Sequence, residues 1–214
     1  MQSTLVDALG TAVPDETRAN LEADAASADV RLVQAAQRGD RAAFGQLYAS
    51  YAAMVHGILL SRVPPDVAED LVQEAFLRAM PKLASLREPS HFGGWLAAIA
   101  RNCAVDFLRR TRPSAEFDEE LHTPAAAERP TDEDRSLDSQ QVLDAIRSLP
   151  EAYRETLILR LVEGLTGPEI ARKTGLTHGS VRVNLCRGLQ HLRERLERRT
   201  DIALHARQRN EAKG

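Results

Sequence analysis

The sequence predicts an all-α fold: two small helical domains joined by a flexible acidic linker. Three observations predict it. Of 214 residues, 43% are apolar and only 4% aromatic, with Ala, Leu and Arg abundant, a composition that favours helices over sheets. Apolar side chains recur at three- and four-residue steps, and no stretch of any length alternates as a strand would. Between the periodic regions lies a tract with Pro113, Pro124 and Pro130 and nine acids (Glu116, Asp118, Glu119, Glu120, Glu128, Asp132, Glu133, Asp134, Asp138) against Arg129 and Arg135. Such a run repels itself and stays extended.

Taken in order, residues 1–27 are rich in Ala, Asp, Glu, Thr and Ser with weak periodicity and read as a disordered leader. The first domain spans 28–112. A helix starts at Val30 and closes at Gly39, and a second runs from about Arg41 to Arg62 with Phe44, Leu47, Tyr48, Tyr51, Val55, Ile58 and Leu59 on its apolar side. Pro64-Pro65 stops it, and Asp66 with Glu69 reads as a capping-box start for a third. Val67, Leu71, Ala75 and Met80 line one face of that helix. Asp66, Glu69, Asp70, Gln73 and Glu74 dominate the rest. Residue chemistry alone divides evenly between a solvated face, helped by the helix dipole, and a docking surface for a polar or basic partner. Ser85 to Gly94 reads as a loop, and a helix from Trp95 to Arg112 follows. Its polar side carries Arg101, Asn102, Arg109 and Arg110 around a single Asp106. That pattern suits either a solvated rim or a phosphate-tracking groove beside an aromatic platform of Phe92 and Trp95.

The linker takes 113–138, and the second domain spans 139–197. Val142, Leu143, Ile146 and Leu149 give one helix, ended by Pro150. Tyr153, Leu157, Ile158, Leu161 and Val162 give the next, ended by Gly164. Then comes the most specific stretch in the chain. Thr166 and Glu169 form a capping box with Pro168 in the first turn. Ile170 and Ala171 face inward, Gly175 supplies a positive φ, Thr177 caps the next helix, and Val181 and Leu185 pin it. His178, Ser180, Arg182, Asn184 and Arg187 are left to point outward, and Arg and Asn are the side chains that pair with guanine and adenine edges. The stretch is a helix-turn-helix whose second helix reads duplex DNA. That helix continues through Leu189, Leu192 and Leu196, with six arginines (182, 187, 193, 195, 198, 199) against Glu194 and Glu197. Residues 198–214 read as a polar tail.

Composition narrows the function. The net charge of −3 confines DNA binding to local patches. Cys103 and Cys186 stand far apart with no Cys-x-x-Cys, so a structural zinc is not expected. No Gly-rich phosphate loop, nucleophile motif or metal spacing is present, so neither an enzyme nor a bound cofactor is expected. No apolar run reaches membrane length and no signal pattern opens the chain, which reads as soluble and intracellular.

Three stretches in this order resemble the sigma-70 family of bacterial RNA polymerase sigma factors, and most closely its extracytoplasmic-function (ECF) group. Asp66-Val-Ala-Glu-Asp-Leu-Val-Gln-Glu-Ala-Phe-Leu-Arg78 is similar to the family's core-binding helix. Phe92-Gly-Gly-Trp-Leu-Ala-Ala-Ile-Ala-Arg-Asn through Arg110 is similar to its promoter-melting and −10-reading segment. Leu149-Pro-Glu-Ala-Tyr-Arg-Glu-Thr-Leu through Leu196 is similar to its −35-reading domain. The resemblance implies that Asp66, Glu69, Asp70, Gln73 and Glu74, supported by Phe76, dock on the clamp helices of the polymerase largest subunit, the flap being a further contact. It implies that the 85–91 loop, with Arg87 and His91, captures a flipped −10 base beside Phe92 and Trp95. Asn102 then lies at the upstream edge of that element, and Arg101, Arg109 and Arg110 lie on its backbone. His178, Ser180, Arg182, Asn184 and Arg187 face the −35 element, although Asn184 stands where the family often has Arg. An anti-sigma partner and a cytoplasmic, nucleoid-associated location belong to the same resemblance. A stand-alone helix-turn-helix regulator is the alternative, and it leaves the acidic helix and the aromatic and basic segment without a role. An enzyme built on His56, His91 and Glu74 lacks any supporting spacing.

Overall fold

The structure, a computed structural model, describes residues 15–111 and 135–211, with side chains placed over 24–111 and 140–198. Among the described residues every regular element is helical. The first module holds α1 (Asp15–Gln37), α2 (Arg41–Leu60), α3 (Pro65–Ala79) and α4 (Phe92–Thr111). The second holds α5 (Arg135–Arg147), α6 (Glu151–Leu161), α7 (Gly167–Thr174) and α8 (His178–Glu211).

Local chemistry sets most boundaries. Gly39, at φ +96°, ends the α1 turn, and Asp40 caps α2 by accepting from the backbone N–H groups of Ala42 and Ala43 at 2.9 and 3.1 Å. In α7, Thr166 and Glu169 make the reciprocal capping box, and Gly175 closes the helix at φ +77°. Thr177 Oγ1 accepts from the Ser180 N–H at 3.1 Å and so caps α8.

Several expected boundaries are corrected. α1 starts at Asp15 rather than Val30, so residues 15–27 are helical; the part of the expected leader before Asp15 lies outside the described residues. Its Ala, Leu, Glu and Arg content propagates a helix once Val33 is anchored in the core, even with little apolar periodicity. α3 forms no capping box at Asp66: Pro64 is the cap residue, Pro65 occupies the first turn, and Asp66 adds only its charge there. Met80, expected inward, is exposed because the chain tightens into a 3-10 turn over Met80–Ser85. The expected 85–94 loop is a second 3-10 turn (Pro89–His91) leading straight into α4 at Phe92. Gln37 Nε2 pins that turn region by donating to the carbonyls of Leu83 and Leu86 at 3.1 and 2.8 Å.

In the second module α5 begins at Arg135, so the last residues assigned to the linker are helical; residues 112–134 lie outside the described residues. Leu161 and Val162 are half exposed, because α6 ends there and Leu157, Ile158 and Leu159 take the inward positions. Leu189 is likewise exposed, while Leu192 is buried. The expected tail continues α8 to Glu211, again in residues of good helix propensity.

The two modules share one core. Leu47, Met54, Ile58 and Leu59 of α2 belong to the same buried cluster as Leu157, Ile158 and Leu159 of α6 and Ile170 of α7. Two glycines of the first module lie tight against the second, Gly57 against side chains and Gly93 against backbone. A Cβ on Gly57 would stand 2.7 Å from Leu159 Cδ2, and one on Gly93 would stand 2.3 Å from the carbonyl oxygen of Lys173.

Candidate nucleic-acid interface

The structure sorts the expected site residues into three groups. On α3, Asp66, Glu69, Asp70 and Gln73 are exposed along one face. Glu74 is half-buried, ion-paired with Arg78 and 3.8 Å from Arg110, while Arg78 also reaches Asp106 at 2.6 Å. Phe76 is corrected to a core residue: it is buried, 6.3 Å edge-on from Phe44 and 4.6 Å from the Tyr48 ring. Its position shares the face of Val72 and Ala75, so it shapes the helix surface from behind.

Around α4, Arg87, His91, Asn102, Arg109 and Arg110 are exposed, and Trp95 is half-buried. Two residues are corrected. Phe92 is 1% exposed, packed edge-on against Tyr51 at 5.1 Å and 5.8 Å from Trp95, so it supports the platform without presenting a face. Arg101 is turned toward α6, where Nη2 donates to Glu155 Oε1 at 2.7 Å and Nε donates to Oε2 at 3.2 Å. A two-point fork of this kind is the geometry Arg uses for a phosphate as well as a carboxylate.

At the start of α8, His178, Ser180, Arg182 and Arg187 are exposed, and Ser180 Oγ lies 2.8 Å from Thr177 Oγ1. Asn184 is half-buried, and its Nδ2 donates to Thr156 Oγ1 at 3.4 Å, so its amide is partly committed to the module's own interior.

Sequence reasoning missed the polar groups that join the modules. Glu155, 6% exposed, also takes Arg62 Nη2 at 2.8 Å. Burial pushes the Glu155 carboxyl up, but the Arg101 hydrogen bonds and the Arg101 and Arg62 charges outweigh it and hold the carboxyl below its usual value. Arg62 also pairs with Glu151. Arg147 donates to the carbonyls of Leu60 and Val63 at 3.0 and 2.8 Å, satisfying the end of α2 from the other module. Lys173, 5% exposed, donates to the Ser50 carbonyl and sits 4.3 Å over the Tyr51 ring; burial lowers its pKa. Arg172 pairs with Asp29, which also accepts from Tyr51 Oη at 2.8 Å. These partners are tens to more than a hundred residues apart, and no local spacing announces them.

The family model described as Sigma-70 region 2 matches residues 47–113, and the one described as Sigma-70, region 4 matches 139–192. The chain is 37% identical over 161 residues to the RNA polymerase sigma factor CarQ of Myxococcus xanthus, covering 74% of this chain and 91% of that protein. The chain is an ECF sigma factor of the sigma-70 family. It is also 34% identical to the ECF RNA polymerase sigma factor BldN of Streptomyces coelicolor, over 76% of this chain and 64% of that one. To the ECF RNA polymerase sigma-E factor of Escherichia coli it is 32% identical, over 79% and 94%. Among solved structures, CnrH in complex with the cytosolic domain of CnrY aligns at a TM-score of 0.55 and 26% identity, over 79% of this chain and 97% of that one. RpoE in complex with the anti-sigma factor NepR from Bartonella quintana aligns at 0.51 and 26%, over 72% and 96%. As a sigma factor it directs RNA polymerase to promoters. Its exposed acidic helix belongs to region 2 and its helix-turn-helix to region 4. Among the described residues no helix is long and apolar enough to cross a membrane.

Proposed function

We propose that this sigma factor docks on the clamp helices of core RNA polymerase through Asp66, Glu69, Asp70 and Gln73, and reads two promoter elements with separate modules. The start of α8 takes the −35 element in the major groove, with Arg182 and Arg187 at base edges and backbone. The 85–91 turns and the exposed side of α4 take the −10 element, with Arg87, His91 and Trp95 around a base flipped from the non-template strand. Flipping a base costs a few kcal/mol of stacking and pairing. A surface that holds only the flipped form returns that energy and drives melting without nucleotide hydrolysis. The chain supplies binding energy, and the polymerase forms the bonds; no catalytic activity is assigned to the chain alone. It acts in the cytoplasm, at the nucleoid when bound to polymerase. Because RpoE was solved with the anti-sigma factor NepR, a similar inhibitory partner is assigned to this chain.

The observation that carries this reading is the exposure of the acidic α3 face and of Arg182 and Arg187 on opposite modules of one chain. In vitro transcription with purified core polymerase on a promoter library tests it. Defined start sites that require the chain support it. Tight duplex binding without polymerase, and no transcript with it, would identify a stand-alone regulator instead.

A further inference from the structure

Glu74 stands on the docking helix, yet its charge is already taken inside the chain. Its carboxylate is ion-paired with Arg78 one turn on, and Arg110 Nη2 of α4 stands 3.8 Å away. Arg78 reaches the other way as well, where Nη1 donates to Asp106 Oδ2 at 2.6 Å. Arg110 folds back along α4, and its Nε donates to the Asp106 carbonyl at 3.3 Å. Two acids and two arginines thus join α3 to α4, with Arg78 at their centre. Arg78 lies in the last turn of α3, where the helix dipole favours a cation.

Asp106 is the single acid of α4, a helix that also carries Arg101, Arg109 and Arg110. It falls between Asn102 and Arg110 at four-residue steps, on one line of the helix. Asn102 and Arg110 are exposed, and the Asp106 side chain is 44% exposed. A nucleic-acid strand that follows this line meets a carboxylate in the middle of its path. Left bare, that charge repels the strand's phosphates within a Debye length, about 8 Å at physiological salt. Arg78 cancels it at contact distance. The Arg78 hydrogen bond also holds the Asp106 carboxyl below its usual value, so the pair stays ionised and sums to neutral.

We propose that Arg78, although it stands on the polymerase-docking helix, is a positioning residue for the −10 strand: clamped by Glu74, it neutralises Asp106 on the path the strand takes along α4. This rests on the promoter reading above and gives α3 a part in it. The same contacts would also suit a plain strut between α3 and α4, and the two roles separate cleanly. A strut needs both Arg78 and Asp106. A shield needs Arg78 only while Asp106 is charged. Removing both charges together therefore restores strand binding under one role and not under the other.

The test assembles holoenzyme from the full chain and core polymerase. It titrates this with a fluorescent single strand carrying the non-template −10 sequence of a mapped promoter, at several salt concentrations. Arg78→Gln weakens strand binding at least about fivefold at low salt and lowers the slope of log affinity on log salt by about 0.7, the share of one phosphate contact on a single strand. Arg78→Lys, which keeps the charge, stays within about twofold of the parent, as does Asp106→Asn. Arg78→Gln combined with Asp106→Asn recovers the parental affinity and slope. Affinity for core polymerase is unchanged in all of these and in Glu74→Gln. A double variant as weak as Arg78→Gln would overturn the shield and leave a strut. Parental strand binding by Arg78→Gln alone would overturn it too. Loss of core affinity in Arg78→Gln or Glu74→Gln would return these residues to docking and also overturn the proposal. A parent holoenzyme that shows no preference for the −10 sequence would sink the promoter reading itself, and the proposal with it.

Discussion

His56 of α2 and Glu163, just past α6, meet at 2.6 Å across the two modules, a pairing between residues 107 positions apart. The hydrogen bond to Glu163 raises the His56 pKa above its ordinary value, against a smaller opposing effect of burial and with further help from the charges of Glu163 and Glu69. A raised folded pKa adds stability that is fully present below the unfolded value of about 6.5 and is lost as pH rises through the folded value. The thermal midpoint therefore falls more between pH 5.5 and pH 8.5 in the parent chain than in His56→Gln. Scanning calorimetry of both forms checks it. Equal slopes would show that the pair contributes nothing.

Docking on polymerase is predicted to depend on exposed charge. Asp70 is exposed on α3 and forms no ion pair among the described residues, so Asp70→Arg leaves the thermal midpoint within about a degree. Its affinity for core polymerase falls at least about tenfold, or about 1.4 kcal/mol, with the loss strongest at low salt. Fluorescence titration with labelled core at two ionic strengths measures this. Unchanged affinity would remove α3 from the docking surface.

The two reader-helix polar side chains are predicted to separate. Arg182 is exposed, and Arg182→Ala costs about 1–3 kcal/mol of discrimination at one −35 position. Asn184 already donates to Thr156, so Asn184→Ala changes −35 selectivity less than Arg182→Ala does. Transcription from a randomised −35 library ranks them. The opposite ranking would place the reading face elsewhere on α8.

Backbone handedness gives a matched pair of glycine changes. Gly175 sits at φ +77°, and Gly175→Ala destabilises by about 1–2 kcal/mol because a Cβ there crowds the following carbonyl. Gly45 lies inside α2 with nothing within 4 Å of its Cβ position, so Gly45→Ala stabilises by up to about 1 kcal/mol. Urea melts of the two variants should move in opposite directions.

Local chemistry was legible from residue order alone. Thr166 with Glu169, Gly175 and Thr177 all perform the capping and turning roles their types dictate, and Val181 packs inward as its spacing requires. Where local rules failed, a neighbour had intervened. Pro64 took the cap from Asp66, and the 3-10 turn at Met80 rotated that side chain into solvent. Within the candidate site, exposure at Asp70, Arg109 and Arg182 followed from helical periodicity. The commitments of Arg101 to Glu155 and of Asn184 to Thr156 did not, because each depends on an element brought alongside by tertiary packing.

The most direct measurement of the central claim is multi-round transcription with purified core polymerase, mapping RNA 5′ ends with and without the chain. RNA starting at defined sites downstream of a −35 and −10 pair, lost on Asp70→Arg and shifted in preference on Arg182→Ala, is the predicted result. Identical 5′ ends with and without the chain would contradict it.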